Sequence, residues 1–178
     1  MAIFSDFLAI LLAASVVSAI NFSEVIPGPG LPSLASLNLT SEALHAMGPI
    51  EIPPDYHIGD VNPMSKRDNP TPPACIYYGG ALIDRANMLS CVNFLYALGT
   101  TPCTLSNSAA SGQWCNVGNV ALYGLNWNNL PTVSSYCIDV AVAAQWVYNN
   151  CNYDNVNQWG GLAYVHGNDD IIANVTRQ

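Results

Sequence analysis

The sequence predicts an α+β fold for residues 68–178: two helices packed on one side of a mostly antiparallel sheet, in the order β-α-β-α-β-β, closed as a disulfide-stapled sandwich. Three observations predict it. Apolar residues recur at three- and four-residue intervals in two separate stretches. Short apolar and aromatic runs are bounded by Gly, Asn and Asp. All six cysteines fall in this part of the chain.

Taken in order, Cys75–Ile83 (CIYYGGALI) reads as a first strand with a glycine pair inside it. Asp84 can cap a helix whose stripe is Met88, Cys91, Val92, Leu95 and Leu98, and Gly99 stops it. A polar loop then carries Cys103 and ends at Trp114-Cys115; Val117–Leu125 (VGNVALYGL) is the second strand, and 126–131 is a turn. Ser134 or Ser135 is expected to cap a second helix running to about Asn150, with the stripe Cys137, Val140, Ala141, Ala144, Val147, Tyr148 and Cys151. Gly161–His166 and Ile171–Thr176 flank Gly167-Asn168-Asp169-Asp170, the pattern of a hairpin. Along its second strand Ile171, Ala173 and Val175 share one face, while Ile172, Asn174 and Thr176 share the other.

The first 67 residues read differently. Phe7 to Val17 (FLAILLAASVV) is an apolar run too short to anchor in a bilayer, which takes about 20 residues. Small residues follow, so residues 1–19 are expected to be a signal peptide removed after Ala19, although Asp6 stands where a basic residue is usual. The alternative is a buried N-terminal helix, but nothing amphipathic shows in the run. From Ile20 to Arg67 there is no Cys and no Trp but seven Pro, and apolar residues are mostly isolated, except in Leu34–Met47. Proline at this density removes backbone donors and blocks regular structure, so 20–67 is expected to be a flexible pro-segment. It ends at Lys66-Arg67, a dibasic pair of the kind cut by secretory processing proteases; the mature domain would be 68–178.

Cys75, Cys91, Cys103, Cys115, Cys137 and Cys151 are an even set in a secreted context and predict three disulfides. No two lie close enough in sequence for a zinc motif. Cys137 and Cys151 sit at opposite ends of one predicted helix, roughly 21 Å apart at about 1.5 Å per residue, so they cannot bond to each other. Cys103 and Cys115 flank a polar loop and are expected to close it, leaving Cys75 and Cys91 each joined to one end of the long helix. Asn21, Asn38 and Asn174 begin glycosylation sequons; only Asn174 would survive processing, with partial occupancy expected because it lies in a strand.

Trp114-Cys115 followed by Gly118-Asn119-Val120-Ala121-Leu122-Tyr123 is similar to a pattern in the secreted killer toxins of smut fungi and their fungal relatives. So is the Cys137-bearing helix ending in Asn150-Cys151, followed by a glycine-rich hairpin closing on Ile172-Ala173-Asn174-Val175. The resemblance covers roughly Cys103 to Val175. It implies an α/β sandwich, a fungal source and antagonism of other cells, and extends to small cysteine-rich effectors of plant-associated fungi. The smut toxin thought to block calcium channels relies on basic side chains, whereas 68–178 has no Lys and only Arg85 and Arg177. The resemblance therefore does not carry channel blocking by a cation to this chain.

Charged residues make up 9% of the chain and its net charge is -8, with four Lys plus Arg, so no basic patch serves nucleic acid or an anionic membrane. His166 is the single histidine after residue 67, and a Ser/His/Asp triad would have to use it with Asp169 or Asp170, both in a predicted turn. Asn155, Asn168, Asp169 and Asp170 lack the ligand spacing of a calcium loop, and Asp84, Asp139, Asp154, Asp169 and Asp170 give no warrant for one catalytic pair. Asp139 instead suits the N-terminal dipole of its helix. No catalytic residue, metal or cofactor is assigned. Trp114, Trp127, Trp146 and Trp159 can supply a sugar-stacking platform; Trp146 reads as helix packing and Trp127, in the run Asn126-Trp127-Asn128-Asn129, as an exposed binding surface. The sequence thus predicts a secreted, extracellular toxin- or effector-like protein whose partner is a cell-surface protein or glycan. Its alternatives are a carbohydrate- or wall-binding structural protein and a small secreted hydrolase.

Overall fold

The structure, a computed structural model, describes residues 22–52, 73–77, 82–106, 111–166 and 168–178. The apolar run 7–17, Ala19, Asn21 and Lys66-Arg67 lie outside the described residues. Among the described residues the fold is α+β with an antiparallel sheet, three α-helices and three disulfides.

The main sheet has six strands in the order β1 (Val25–Pro27), β5 (Ser111–Val117), β6 (Val120–Asn126), β10 (Asn168–Arg177), β9 (Gly160–Val165) and β2 (Ala74–Ile76), every neighbouring pair antiparallel. Two two-stranded ribbons accompany it: β3 (Ile83–Asp84) with β8 (Asn157–Gln158), and β4 (Pro102–Ser106) with β7 (Thr132–Tyr136). The helices are α1 (Ser41–Ala46), α2 (Arg85–Ala97) and α3 (Cys137–Asn150). Ile171, Ala173 and Val175 of β10 are buried as the alternation predicted, in a core shared with Met88, Phe94 and Leu95 of α2 and Val140, Ala144 and Val147 of α3. Small residues let α3 sit close to the sheet: a Cβ on Gly161 would come within 2.8 Å of Val147 Cγ1 and 3.1 Å of Cys151 Sγ.

Several expectations hold residue by residue. Asp84 caps α2, its carboxylate accepting from Asn87 N at 2.8 Å, and Gly99 follows the helix with φ 55°, the left-handed conformation glycine adopts at least cost. β9 and β10 do pair as a hairpin, but Asn168, Asp169 and Asp170 are not its turn: β10 begins at Asn168, which lies opposite Val165, and the register shifts between Asn168 and Ile172.

Others are corrected. The stretch from Gly99 to Trp114 is not one polar loop, and the order β-α-β-α-β-β omits the ribbon β4–β7. In β4 the alternation is complete, with Cys103 and Leu105 buried between exposed Pro102, Thr104 and Ser106. Val117–Leu125 is not one strand: Gly118, at φ 53°, turns the chain between β5 and β6. Cys75–Ile83 holds two strands, β2 and β3. Neither Ser134 nor Ser135 caps α3. Both belong to β7, Tyr136 is the N-cap without a side-chain bond, and Cys137 N and Ile138 N donate instead to Thr101 O (2.9 Å) and Gly99 O (3.0 Å).

The disulfides are Cys75–Cys151, Cys91–Cys115 and Cys103–Cys137. Cys75 does join one end of the long helix, and Cys137 and Cys151 are not paired. The expected Cys103–Cys115 link is wrong, and so is the expected link from Cys91 to an end of the long helix. Cys103 lies on β4 beside the start of α3, while Cys115 on β5 faces α2, so each bonds to the helix it packs against.

Residues 22–52 also depart from the expectation of an irregular segment. They form β1, a single 3-10 turn at Ala35–Leu37, and α1, whose N-cap Thr40 accepts from Ala43 N at 3.1 Å. Prolines 27, 29, 32 and 49 fall at the end of β1 or between elements, where a missing amide costs little. Leu44 is 0% exposed, and Leu31, Leu34, Leu37, Leu39 and Ile50 pack against the core.

An aromatic shelf at the end of the third helix

A braced aromatic surface is built where α2 begins and α3 ends. Cys151 closes α3 and is bonded to Cys75 of β2, so two separate elements meet at one covalent point. The next residues make a tight reversal. Tyr153 N and Asp154 N donate to Asn157 O at 3.4 and 3.0 Å, while Asp154 Oδ1 accepts from Val156 N (2.7 Å) and Asn157 N (2.6 Å). This is an Asx turn, and it explains why Asp occupies the position. The amides of Asn157 and Val156, then the Asn157 side chain and the Arg85 charge, hold the Asp154 carboxyl below its ordinary 3.8.

Arg85 ties the region together. Its backbone N donates to Val156 O at 2.9 Å. Its guanidinium lies 4.2 Å from the centroid of Tyr148 and donates to Tyr148 O, Asn152 Oδ1 and Gln158 Oε1. A cation on a carbonyl in the last turn of α3 also suits the helix dipole. Arg85 is thus a brace between two helices and a loop.

Trp159 is held by its amide, which donates to Cys151 O at 2.8 Å. Tyr77 and Tyr153 meet its ring edge-on, with centroids 5.7 and 5.4 Å away. The tyrosines are 65% and 59% exposed and Val156 beside them 60%. Next to this shelf, Arg85, Tyr148, Asn152, Tyr153, Asp154 and Asn155 line a concavity of about 490 Å³. Large aromatic faces, amide groups and one carboxylate on a braced loop suit a neutral, polyhydroxylated surface or a polar protein surface.

The other candidates are distributed elsewhere. The four tryptophans do not share a platform. Trp114 is buried, covering Gly124 so closely that a Cβ there would lie 2.2 Å from its ring, and Trp146 is partly buried against the core. Trp127 is 53% exposed, with its N–H donating to Asp170 O at 2.8 Å. It stands beside the β9–β10 turn, at the opposite end of β9 from Trp159, about 20 Å away by strand rise. His166 lines a concavity of about 420 Å³ with Ser134, Ser135, Tyr136, Asp139 and Asn168. The Asp170 carboxylate accepts from Asn128 Nδ2, and Asp139 shares the histidine's concavity. Asn38 is exposed with φ 55°, whereas Asn174 lies half-buried in the sheet between β6 and β9, its Oδ1 fully covered.

Sequence reasoning named Trp159 but missed Tyr77, Tyr153 and the bracing role of Arg85. The available signal was Cys151-Asn152-Tyr153-Asp154-Asn155, a turn-forming run with an aromatic residue directly after a disulfide cysteine.

Among the described residues no group of His, Cys, Asp and Glu could hold a metal ion, and no helix is long and apolar enough to cross a membrane. Three disulfides are consistent with an extracellular protein. No curated protein and no solved structure matches the chain. The family profile described as a domain of unknown function, DUF8794, matches residues 74–177, which span β2 to β10, and the chain belongs to that family.

Proposed function

We propose that this is a secreted toxin- or effector-like protein that works by binding a target on another cell, and that the shelf of Tyr77, Tyr153 and Trp159 is the surface that docks. Exposed tyrosines locked edge-on to a tryptophan, on a loop braced by Cys75–Cys151 and Arg85, carry this reading. Aromatic groups whose rotamers are already fixed lose little entropy on binding, which is why such residues dominate interface energetics. The likeness to smut-fungus killer toxins and fungal effectors supports a target on another cell. The reading includes removal of residues 1–19 during secretion and a cut after Lys66-Arg67. It includes no nucleic-acid partner, no membrane insertion and no catalytic step, so His166→Ala should leave activity intact.

The test is a panel of fungal cells and plant leaves treated with the purified parent and a Tyr77→Ala/Tyr153→Ala variant. Parent protein should bind and injure at least one member, and the variant should lose at least tenfold in potency while melting as the parent does. A variant of unchanged potency would remove the shelf from the function. A second reading, a carbohydrate- or wall-binding protein, is favoured by Asn152, Asn155 and the Asp154 carboxylate beside the aromatic rings. Retention on chitin or a glycan array without injury to any cell would select it.

A further inference from the structure

The surface that residues 22–52 cover is made from the family's own unit, 74–177. β1 adds an edge strand to β5, with Val25, Ile26 and Pro27 opposite Val117, Asn116 and Cys115, and Gly28 N continues the pairing by donating to Trp114 O at 2.8 Å. A Cβ on Gly28 would stand 2.0 Å from Gln113 O, so the approach is backbone to backbone. Asn93 of α2 is fully buried and spends its amide on this segment, donating to Leu44 O at 3.1 Å and Met47 O at 3.3 Å. Gln145 of α3, also fully buried, accepts from Ile50 N at 3.3 Å. Leu44 fills the apolar site beneath α1.

The segment is equally organised within itself. Val25 N donates to Ser41 Oγ at 2.9 Å, His45 Nε2 pairs with Ser23 O at 3.0 Å, and the His45 ring stacks on Phe22 at 5.0 Å. It contains no cysteine, so no disulfide ties it to the domain. Without it, two buried amide side chains lose partners, a sheet edge opens, and the apolar site under Leu44 is exposed; each of these opposes release.

We infer that residues 22–52 are a strand-and-helix subunit docked non-covalently on the cysteine-rich domain, and that they stay bound when the connection between them is cut. The β5 edge, Asn93 and Gln145 together form a docking groove whose occupant is this chain's own N-terminal segment. A cut after Lys66-Arg67 then yields a two-chain protein, not a freed domain.

The experiment uses the full chain with a site-specific protease sequence placed within residues 53–72. After cutting, a denaturing non-reducing gel should show two pieces, while native size exclusion should give one peak containing both. A labelled peptide of residues 22–52 should exchange into that peak. The same cut chain carrying Leu44→Ala should lose the N-terminal piece at least tenfold faster. Separation of the parent's pieces on the native column, with the domain's near-ultraviolet dichroism and melting unchanged, would overturn the inference.

Discussion

Replacing Leu44 by Ala measures whether residues 22–52 belong to the folded unit. Leu44 has no exposed surface and its neighbours are apolar side chains of the common core. Truncation removes the transfer free energy of the lost methyl and methylene groups and leaves a cavity, together about 3 kcal/mol for a leucine that cannot be replaced by local collapse. In a domain of this size each kcal/mol moves the midpoint by about 3–6 °C, so the Tm should fall by roughly 9–18 °C. The Asn93 bonds go to backbone carbonyls and survive the substitution, so the loss reports packing alone. Thermal and urea denaturation should be followed by circular dichroism with the disulfides intact. An unchanged urea slope with a shifted midpoint would identify a change in stability rather than in the unfolded chain. Glu42→Gln, exposed in the same helix, should stay within about 0.5 kcal/mol of the parent. A Leu44→Ala midpoint within a degree of the parent would show that the segment melts apart from the core, and the argument for a docked subunit would fail with it.

Tandem mass spectrometry of a non-reducing digest should yield peptides linking Cys75 to Cys151, Cys91 to Cys115 and Cys103 to Cys137; a Cys103–Cys115 peptide would contradict the ribbon β4–β7 as well as the pairing. Where a chain retains residues 20–67 and is made in a glycosylating host, Asn38→Gly should remove more glycan mass than Asn174→Gln, because Asn38 is exposed in a left-handed turn and Asn174 is enclosed by two strands. Gel shifts of equal size after glycosidase treatment would show that the acceptor is chosen before the sheet forms. Lowered by amide hydrogen bonds, the Asp154 carboxyl should support its turn fully above its ordinary 3.8 and release it only as the pH falls through its lower folded value. Trp159 fluorescence should therefore be flat from neutral pH down to about that point, change below it, and lose this acid transition in Asp154→Ala; a transition near pH 6 would assign the change to another group.

The legible parts of the sequence were those whose cause is local. Asp84 and Gly99 act within a few residues, and the stripes on α2 and α3 repeat for long enough to be read. The ribbon β4–β7 failed that test because its partners are far apart in sequence, Thr104 opposite Ser134, and each strand is five residues long. Ser134 looked like a helix cap because serine is one; only the pairing with β4, and the carbonyls of Gly99 and Thr101, assign the start of α3 to Cys137. The shelf was half visible for the same reason, since Tyr77 and Trp159 are neighbours only once Cys75 has bonded to Cys151.

Residues 22–52 carry the sharpest lesson about proline. A proline-rich stretch without cysteine predicts an unstructured segment, because proline density argues against long helices and central strands. It does not argue against short pieces supported from outside. β1 is three residues at a sheet edge and α1 is six, too few for either to persist alone. Their order comes from the partner surface: buried Asn93 and Gln145 supply the hydrogen bonds, and the core accepts Leu44. Read forward, the informative signal was on the other side of the interface. Asn93 stands between Val92 and Phe94 and Gln145 between Ala144 and Trp146, and a buried amide side chain needs a partner. Both find it in the segment that composition alone had set aside.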